Sequence, residues 1–162
     1  MRKIPTKFMQ RYWRFSRGLT LGAQGVIFDK EGRVLLVKHG YRPGWHFPGG
    51  GVEWNETILS ALERELFEEV GVVMKNAPKL HGMFTNFEAF PGDHIAVYVT
   101  REWEQVTIPK PNSEIIEQGF FSYDNLPEGV ANGTQNRLNE LFADQPISDK
   151  WASYTQNISL AE

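Results

Sequence analysis

The 162-residue chain has no cysteine, which excludes disulfide bonds, thiolate metal sites and a cysteine nucleophile. It has no apolar run near the roughly 18 residues of a membrane-spanning helix, and its first residues lack the continuous apolar segment of a signal peptide. Internal repeats, low-complexity stretches and Ser/Gly linkers are also absent. These absences favour a cytoplasmic globular domain that does not contact a membrane.

Acidic residues are absent from the N-terminal segment, and the first is Asp29. Residues 1–17 contain six basic side chains: Arg2, Lys3, Lys7, Arg11, Arg14 and Arg17. The rest of the chain has 11 basic and 20 acidic residues, a net charge of −9, which disfavours a nucleic-acid partner. We expect residues 1–18 to pack on the domain through the aromatic side chains Phe8, Tyr12, Trp13 and Phe15. A contact with phosphate or a partner subunit, and a transit peptide, are the alternatives.

Apolar and β-branched segments predict the strands of an α/β layered fold. Extended segments are predicted at Leu19–Phe28, Arg33–His39, Leu80–Phe87, His94–Thr100 and Glu114–Tyr123. The first two are joined by a turn containing Gly32 and are predicted to pair as a hairpin. The glycine-rich segment Gly40–Gly51 is predicted to be a loop.

A change to a three-to-four-residue apolar period predicts a long helix, with Asn55 as its N-cap and Gly71 as its left-handed C-cap. A short second helix is predicted at Thr134–Phe142, and the tail receives no predicted structure. We therefore expect a domain at 19–144 followed by a tail at 145–162.

The long helix carries Glu65, Glu68 and Glu69 at spacings i, i+3 and i+4, which places them on one face. Clustered carboxylates with few cations suit a hard divalent ion such as Mg²⁺ or Mn²⁺. A solvated acidic surface is the alternative. The glycine loop that ends at Gly49–Gly51 lies just before the helix, and glycines allow backbone groups to approach a metal or phosphate.

Together these residues resemble the complete Nudix box. The pattern is Gly50, five residues, Glu56, seven residues, and then RELFEEVGV at 64–72. The preceding LLVKH and GWHFPGG segments and the later GFFSYDNLP segment resemble the flanks of that family, so the similarity covers roughly residues 19–127. The resemblance implies an α/β/α sandwich with a central mixed β-sheet.

The resemblance also implies a Mg²⁺- or Mn²⁺-dependent hydrolase that cleaves a pyrophosphate bond in a nucleoside diphosphate linked to another group. The implied metal ligands are Glu65, Glu68, Glu69 and the Gly49 carbonyl, with Glu65 also the general base. Arg64, Glu56 and Gly50 would support the acidic face.

A further acid outside the box is implied, and its position varies within the family. Glu117 is the first candidate for this residue, as a metal ligand or as the catalytic base, and Glu114 is the second. Candidate substrate contacts are Lys38, His39, Tyr41, Trp45 and Phe87, with His94 as a further pocket residue. Packing in the core or a loop is the alternative for each aromatic residue.

ADP-ribose or a nucleotide sugar is the expected substrate, with a nucleoside triphosphate next. The alternatives are a non-catalytic nucleotide-sensing module and an isomerase or interaction domain on the same fold, because a fold alone does not decide function. A homodimer is compatible with the family.

Overall fold

The protein is described by a computed structural model over residues 18–152, so the predictions for residues 1–17 lie outside the described residues. The strands are β1 Thr20–Ile27, β2 Val34–His39, β3 Trp45–His46, β4 Gly49–Gly51, β5 Val72–Met74, β6 Lys79–Thr85, β7 Asp93–Thr100, β8 Trp103–Gln105 and β9 Ile115–Phe121. The helices are α1 Ile58–Val70 and α2 Asn132–Phe142, with a 3₁₀ turn at Tyr123–Asn125. No helix within 18–152 is long and apolar enough to cross a membrane.

The strands form one mixed sheet and two smaller antiparallel sheets. The mixed sheet has the order β4-β1-β7-β6, in which β1 and β7 are parallel and the other pairs are antiparallel. The second sheet has the order β3-β2-β9, and β5 pairs with β8. The predicted α/β fold with a central mixed sheet is confirmed.

Two hydrophobic clusters hold the layers together. The first lies under α1 and contains Ala23, Ile27, Leu35, Val37, Ala61, Leu62, Leu66, Val70, Val72 and Ile115. The second includes Val26, Phe28, Val34, Leu36, Trp45, Phe47 and Phe84, with Leu138 from α2. Consecutive residues of β2 alternate between the clusters, so both faces of this strand are buried, as its apolar run predicts.

The predicted hairpin of the first two strands is wrong. β1 and β2 lie in different sheets and are linked at the turn by a single antiparallel bridge between Phe28 and Val34. The edges of β1 instead pair with β4 and β7. Since these strands are apolar on both faces, their patterns did not identify their partners.

The segment Gly40–Gly51 is not entirely a loop, because it contains β3 and β4. The pairing of β4 with β1 brings this glycine strand beside α1, where Gly49 and Gly50 meet Glu69 and Glu65. The prediction also omitted β5 and β8, which are only three residues long.

The predicted helix start is wrong by two residues, because Thr57 caps α1 through its side chain, which accepts a hydrogen bond from the Ser60 amide at 3.0 Å. Asn55 instead adopts a left-handed conformation with φ 64° in the preceding turn. Gly71 ends the helix with φ 66°, as predicted.

Candidate metal and nucleotide site

Three of the glutamates of α1, Glu65, Glu68 and Glu69, share one edge of the helix and differ in their exposure. Glu69 is only 6% exposed, Glu65 is half-buried and Glu68 is exposed. The burial of Glu69 follows from the packing of α1, because its neighbour Val70 is fully buried against the sheet. The bases of these side chains are therefore held near the core while the carboxylates differ in their contact with water.

The glycines of β4 fit closely around two of these carboxylates. The Gly49 amide donates a hydrogen bond to Glu69 Oε2 at 2.7 Å. A Cβ atom on Gly50 would overlap the Glu65 carboxylate, and one on Gly49, with φ 138°, would overlap the Ala23 carbonyl. The strand is glycine-rich because the carboxylates and β1 occupy the space of a side chain.

The positive groups near the carboxylates of Glu69 and Glu65 do not fully stabilise their ionised forms. Burial raises the pKa of Glu69 to about 8, and the negative charges of Glu65 and Glu114 add to this effect. The Gly49 amide and Arg42 act in the opposite direction but do not cancel it. Burial also raises the pKa of Glu65 in spite of Arg64. A cation that binds here would favour both ionised forms.

The guanidinium group of Arg64 organises the side of the site next to α1. It binds Glu56 through two hydrogen bonds of 3.0 and 2.9 Å and the Gly51 carbonyl at 3.0 Å. It also donates to Glu65 at 2.7 Å and lies 3.7 Å from Glu68. These bonds raise the pKa of Arg64 and lower that of Glu56, so both stay charged. The predicted Arg64–Glu56 pair is thus present in the structure.

A buried group of basic side chains faces Glu69 from the end of β2. His39 is 3% exposed, and its Nδ1 lies 4.0 Å from Glu69 Oε1. Arg42 Nη2 lies 2.6 Å from His39 Nε2. Since arginine can only donate, Nε2 accepts and the proton of a neutral His39 is on Nδ1, toward Glu69. Burial, aided by Arg42, lowers the pKa values of His39 and His46 to about 4, so both rings are neutral at pH 7.

The other predicted substrate residues do not form one group. Tyr41 is 66% exposed and its ring lies 5.1 Å from that of His39. Trp45 is 5% exposed and packs in the core, with its ring 5.0 Å from that of Phe121. Phe87 is half-exposed in the loop after β6. The structure therefore brings Tyr41 and His39 to the acidic site and uses Trp45 for packing.

Two of the remaining candidates face each other on neighbouring strands. Lys38 lies opposite Glu117 in the β2–β9 pair, and its ammonium group is 5.9 Å from the centre of the Trp45 ring. His94 is half-buried, with Nδ1 3.3 Å from the Gly92 carbonyl.

Glu114 lies closer to the acidic site than its sequence position suggests. Its negative charge contributes to the raised pKa values of Glu65, Glu69 and Tyr41. The turn before β9 fixes it, because its amide donates to Asn112 Oδ1 at 2.7 Å and its carbonyl accepts from the Gly40 amide at 3.0 Å.

A cavity of about 630 Å³ has Arg42 among its lining residues, and the carboxylates of Glu65, Glu68 and Glu69 do not line it. Gln24 links the two features, because it lines the cavity and pairs with Gly49 in the β1–β4 ladder. The Gln24 side chain is buried, and its Oε1 has no hydrogen-bond partner within residues 18–152. Other lining residues are Arg42, His46, Asn86, Asn132 and Trp151.

Sequence reasoning did not select these cavity residues. Arg42 and His46 lie in the glycine-rich segment already noted, so their position was a usable signal. Gln24, Asn86 and Trp151 come from three distant segments and carry no shared pattern.

Comparison with known proteins identifies the family. A family model described as the NUDIX domain matches residues 18–142. The chain belongs to the NUDIX family. The carboxylates described above lie within the matched residues.

Several proteins are similar to this NUDIX chain. An RNA pyrophosphohydrolase of Halorhodospira halophila is 35% identical over 52% of this chain and 38% of its own length. An 8-oxo-dGTP diphosphatase of Proteus vulgaris is 35% identical over 56% of this chain and 84% of its own. A MutT NUDIX hydrolase structure from Burkholderia pseudomallei matches with TM-score 0.66 and 27% identity, covering 75% of this chain and 97% of its own. The chain spans about half the length, or less, of the RNA pyrophosphohydrolases it matches.

Proposed function

We propose that this protein hydrolyses a pyrophosphate bond in a nucleotide-derived substrate with the help of Mg²⁺ or Mn²⁺. The observation that carries the proposal is the pair Glu65 and Glu69, whose carboxylates are partly withdrawn from water and lack sufficient positive charge. The cavity of about 630 Å³, which Arg42 lines, has room for the nucleoside portion of a substrate.

The residues suit a hard divalent cation, because every side-chain donor is a carboxylate oxygen. Glu65, Glu68 and Glu69 would hold the ion, together with the Gly49 carbonyl. Within residues 18–152, no three His, Cys, Asp or Glu side chains already form a complete metal cluster. Such ions neutralise phosphate oxygens and make a bound water a better nucleophile at neutral pH.

The protein's own groups position the acidic edge. Arg64 holds the Glu65 carboxylate at 2.7 Å and is itself fixed by Glu56. Gly49 holds Glu69 at 2.7 Å. Glu65 would accept a proton from the attacking water, since an ionised carboxylate beside a metal-bound water can take its proton. Fixed groups of this kind are the main contribution of proteins to phosphoryl-transfer reactions.

Glu114 is a better candidate than Glu117 for the additional acid. Its charge acts directly on Glu65 and Glu69. Glu117 lies opposite Lys38 in the β2–β9 pair, and its charge is not among those that act on Glu65 and Glu69. We therefore place Glu114 first, although the sequence favoured Glu117.

We propose a small nucleotide as the first substrate class. This class includes ADP-ribose, nucleotide sugars and nucleoside triphosphates. A similar diphosphatase is named for 8-oxo-dGTP, and a structural neighbour of 25% identity is titled an ADP-ribose pyrophosphatase. The RNA pyrophosphohydrolases among the relatives favour a second candidate, the 5′ pyrophosphate of an RNA. The net charge of −9 after residue 17 weighs against this substrate without a metal. The homodimer and the cytoplasmic location stay predictions.

Phosphate release from a matched substrate panel tests the proposal. The panel contains ADP-ribose, a nucleotide sugar, 8-oxo-dGTP, ATP and a 5′-triphosphorylated RNA, each with Mg²⁺, with Mn²⁺ and with EDTA. We expect metal-dependent turnover of one class, slowed by about 10²-fold or more in Glu114→Gln and little changed in Glu117→Gln. The reverse ranking of these isosteric variants would restore Glu117, whereas nucleotide binding without turnover would favour the sensing module.

A further inference from the structure

Residues 145–152 form a C-terminal strap along the edge of the mixed sheet. The Thr85 amide at the end of β6 donates to the Asp149 carbonyl at 2.8 Å. The Trp151 amide in turn donates to the Thr85 carbonyl at 2.9 Å. These bonds form a parallel bridge between Thr85 and Lys150, so the strap continues the sheet beyond β6.

A buried ion pair of α2 fixes this strap. Arg137 is fully buried, with its guanidinium carbon 3.7 Å from the centre of the Phe84 ring. It donates to the carbonyls of Lys150 at 3.1 Å and Trp151 at 3.3 Å. It also binds both oxygens of Glu140, at 2.6 and 2.8 Å. One guanidinium group therefore ties the end of the strap to α2.

The strap brings an indole ring to the substrate cavity. Trp151 packs on Gly133 at the start of α2, where a Cβ atom would overlap the indole nitrogen. Its ring lies 6.2 Å from that of Phe84 and 5.5 Å from the guanidinium carbon of Arg137, and the residue is 9% exposed. Trp151 also lines the cavity, together with Asn86 and Gln24. The wall thus combines an aromatic ring with amide groups.

We propose that Trp151 contacts the nucleobase of the substrate and that the strap is therefore part of the substrate site. Aromatic rings bind nucleobases by stacking, and amide side chains supply hydrogen bonds to their edges. The unpartnered, buried Gln24 Oε1 offers an acceptor to such an edge. This inference rests on the proposed function for its choice of a nucleotide as the ligand.

Nucleotide binding without turnover tests this contact. The intact chain is titrated in EDTA with AMP, GMP, CMP and UMP, and both tryptophan fluorescence and binding heat are measured. We expect at least one nucleotide to quench part of the fluorescence. The Trp151→Phe variant should lose this quenching and bind several-fold more weakly, about tenfold at most, because a smaller ring remains.

The Trp103→Phe variant is the matched control. Trp103 stacks on Phe120 with ring centres 5.6 Å apart and is not among the lining residues of the cavity. This variant should keep the quenching of the wild type, and thermal unfolding of both variants establishes that each is folded. The binding heats give the affinities independently of fluorescence.

Several results would overturn the contact. They are binding of no nucleotide at millimolar concentration, binding without quenching, and equal quenching in Trp151→Phe and the wild type. A chain that shows the expected quenching but hydrolyses nothing on the substrate panel would refute the proposed hydrolysis and leave the Trp151 contact standing. Turnover without a Trp151-dependent signal would do the opposite.

Discussion

Two nearly buried glutamates, one on each helix, differ in how far the groups around them neutralise the charge of the carboxylate. The side chains of Glu69 on α1 and Glu140 on α2 are 5% and 3% exposed. Each has a histidine nearby, at 4.0 Å for His39 and 2.7 Å for His81. Both side chains are almost inaccessible to water, and their hydrogen-bond partners differ.

Glu140 has a complete set of donors. Arg137, one turn earlier on the same helix, donates to both of its oxygens, and the Ser148 amide and His81 supply two more bonds. Although burial acts to raise the pKa of Glu140, these groups together lower it. Its charge is matched within the fold, so this glutamate has a structural role.

Glu69 has one strong donor, the Gly49 amide, and its pKa is raised to about 8. The arginine of its own helix, Arg64, is engaged by Glu56 and Glu65. A carboxylate held in place with its charge unmatched is costly for the folded protein unless a ligand supplies the charge. The comparison therefore supports the proposal that Glu69 binds a cation.

The largest expected effect comes from Glu69→Gln. This change removes a metal-binding charge while keeping the shape of the side chain. We expect turnover of the substrate found in the panel to fall by about 10³-fold in steady-state assays with saturating Mg²⁺. The apo protein should be as stable as the wild type, or more stable, because Glu69 must either take up a proton or bury a charge on folding, whereas glutamine does neither. A large loss of stability in urea would give Glu69 the same structural role as Glu140.

The matching change on α2, Glu140→Gln, should have the opposite effect on stability. It leaves the fully buried Arg137 with an uncompensated charge. We expect the free energy of unfolding to fall by about 3 kcal/mol, as when one partner of a buried pair is removed. Urea unfolding of the wild type and both variants, compared at equal slope, measures the difference. Equal free energies of unfolding for the two variants would contradict the assignment of a structural role to Glu140 and a cation-binding role to Glu69.

The same contrast explains which parts of the site the sequence predicts. Glu65, Glu68 and Glu69 and the cap at Gly71 lie within one helix, so helical spacing alone places them. The pair of Arg64 with Glu68 follows from the same spacing, but at 3.7 Å it is weaker than the long-range pair with Glu56 that the family motif implied.

Contacts between distant segments were not predicted from the local pattern. The polar residues of the strap have no periodicity and therefore predict no structure. Its position depends on hydrogen bonds with Arg137 and Thr85. The hairpin failed for a related reason, since pairing of β1 with β7 depends on residues some seventy positions apart. Trp45 was predicted to contact the substrate but is buried in the core, whereas Trp151, which was not predicted, lines the cavity. Burial and cavity lining arise only when the sheets assemble.

The smallest expected effect is a pH dependence of apo stability caused by Glu69. Its pKa is about 8 when folded and near 4.5 when unfolded, so the folded state holds an extra proton between these values. The contribution of this proton is complete below about pH 4.5 and is lost as the pH rises through about 8, with a slope of at most about 1.4 kcal/mol per pH unit. Of the groups facing Glu69, Arg42 stays charged and His39, with a pKa of about 4, stays neutral above pH 5.

The negative charges of Glu65 and Glu114 also act on Glu69, and the pKa of Glu65 is itself raised. The slope of stability against pH therefore reports these interacting carboxylates together and not Glu69 alone. Urea unfolding in EDTA between pH 5 and 8.5 should therefore show a wild-type stability that falls with pH relative to Glu69→Gln. Glu140 works in the opposite direction, because its lowered pKa adds stability above about pH 4.5 that is lost in acid. Parallel curves for the wild type and Glu69→Gln would mean that the fold already balances the charge of Glu69, and a bound cation would then not be needed to match it.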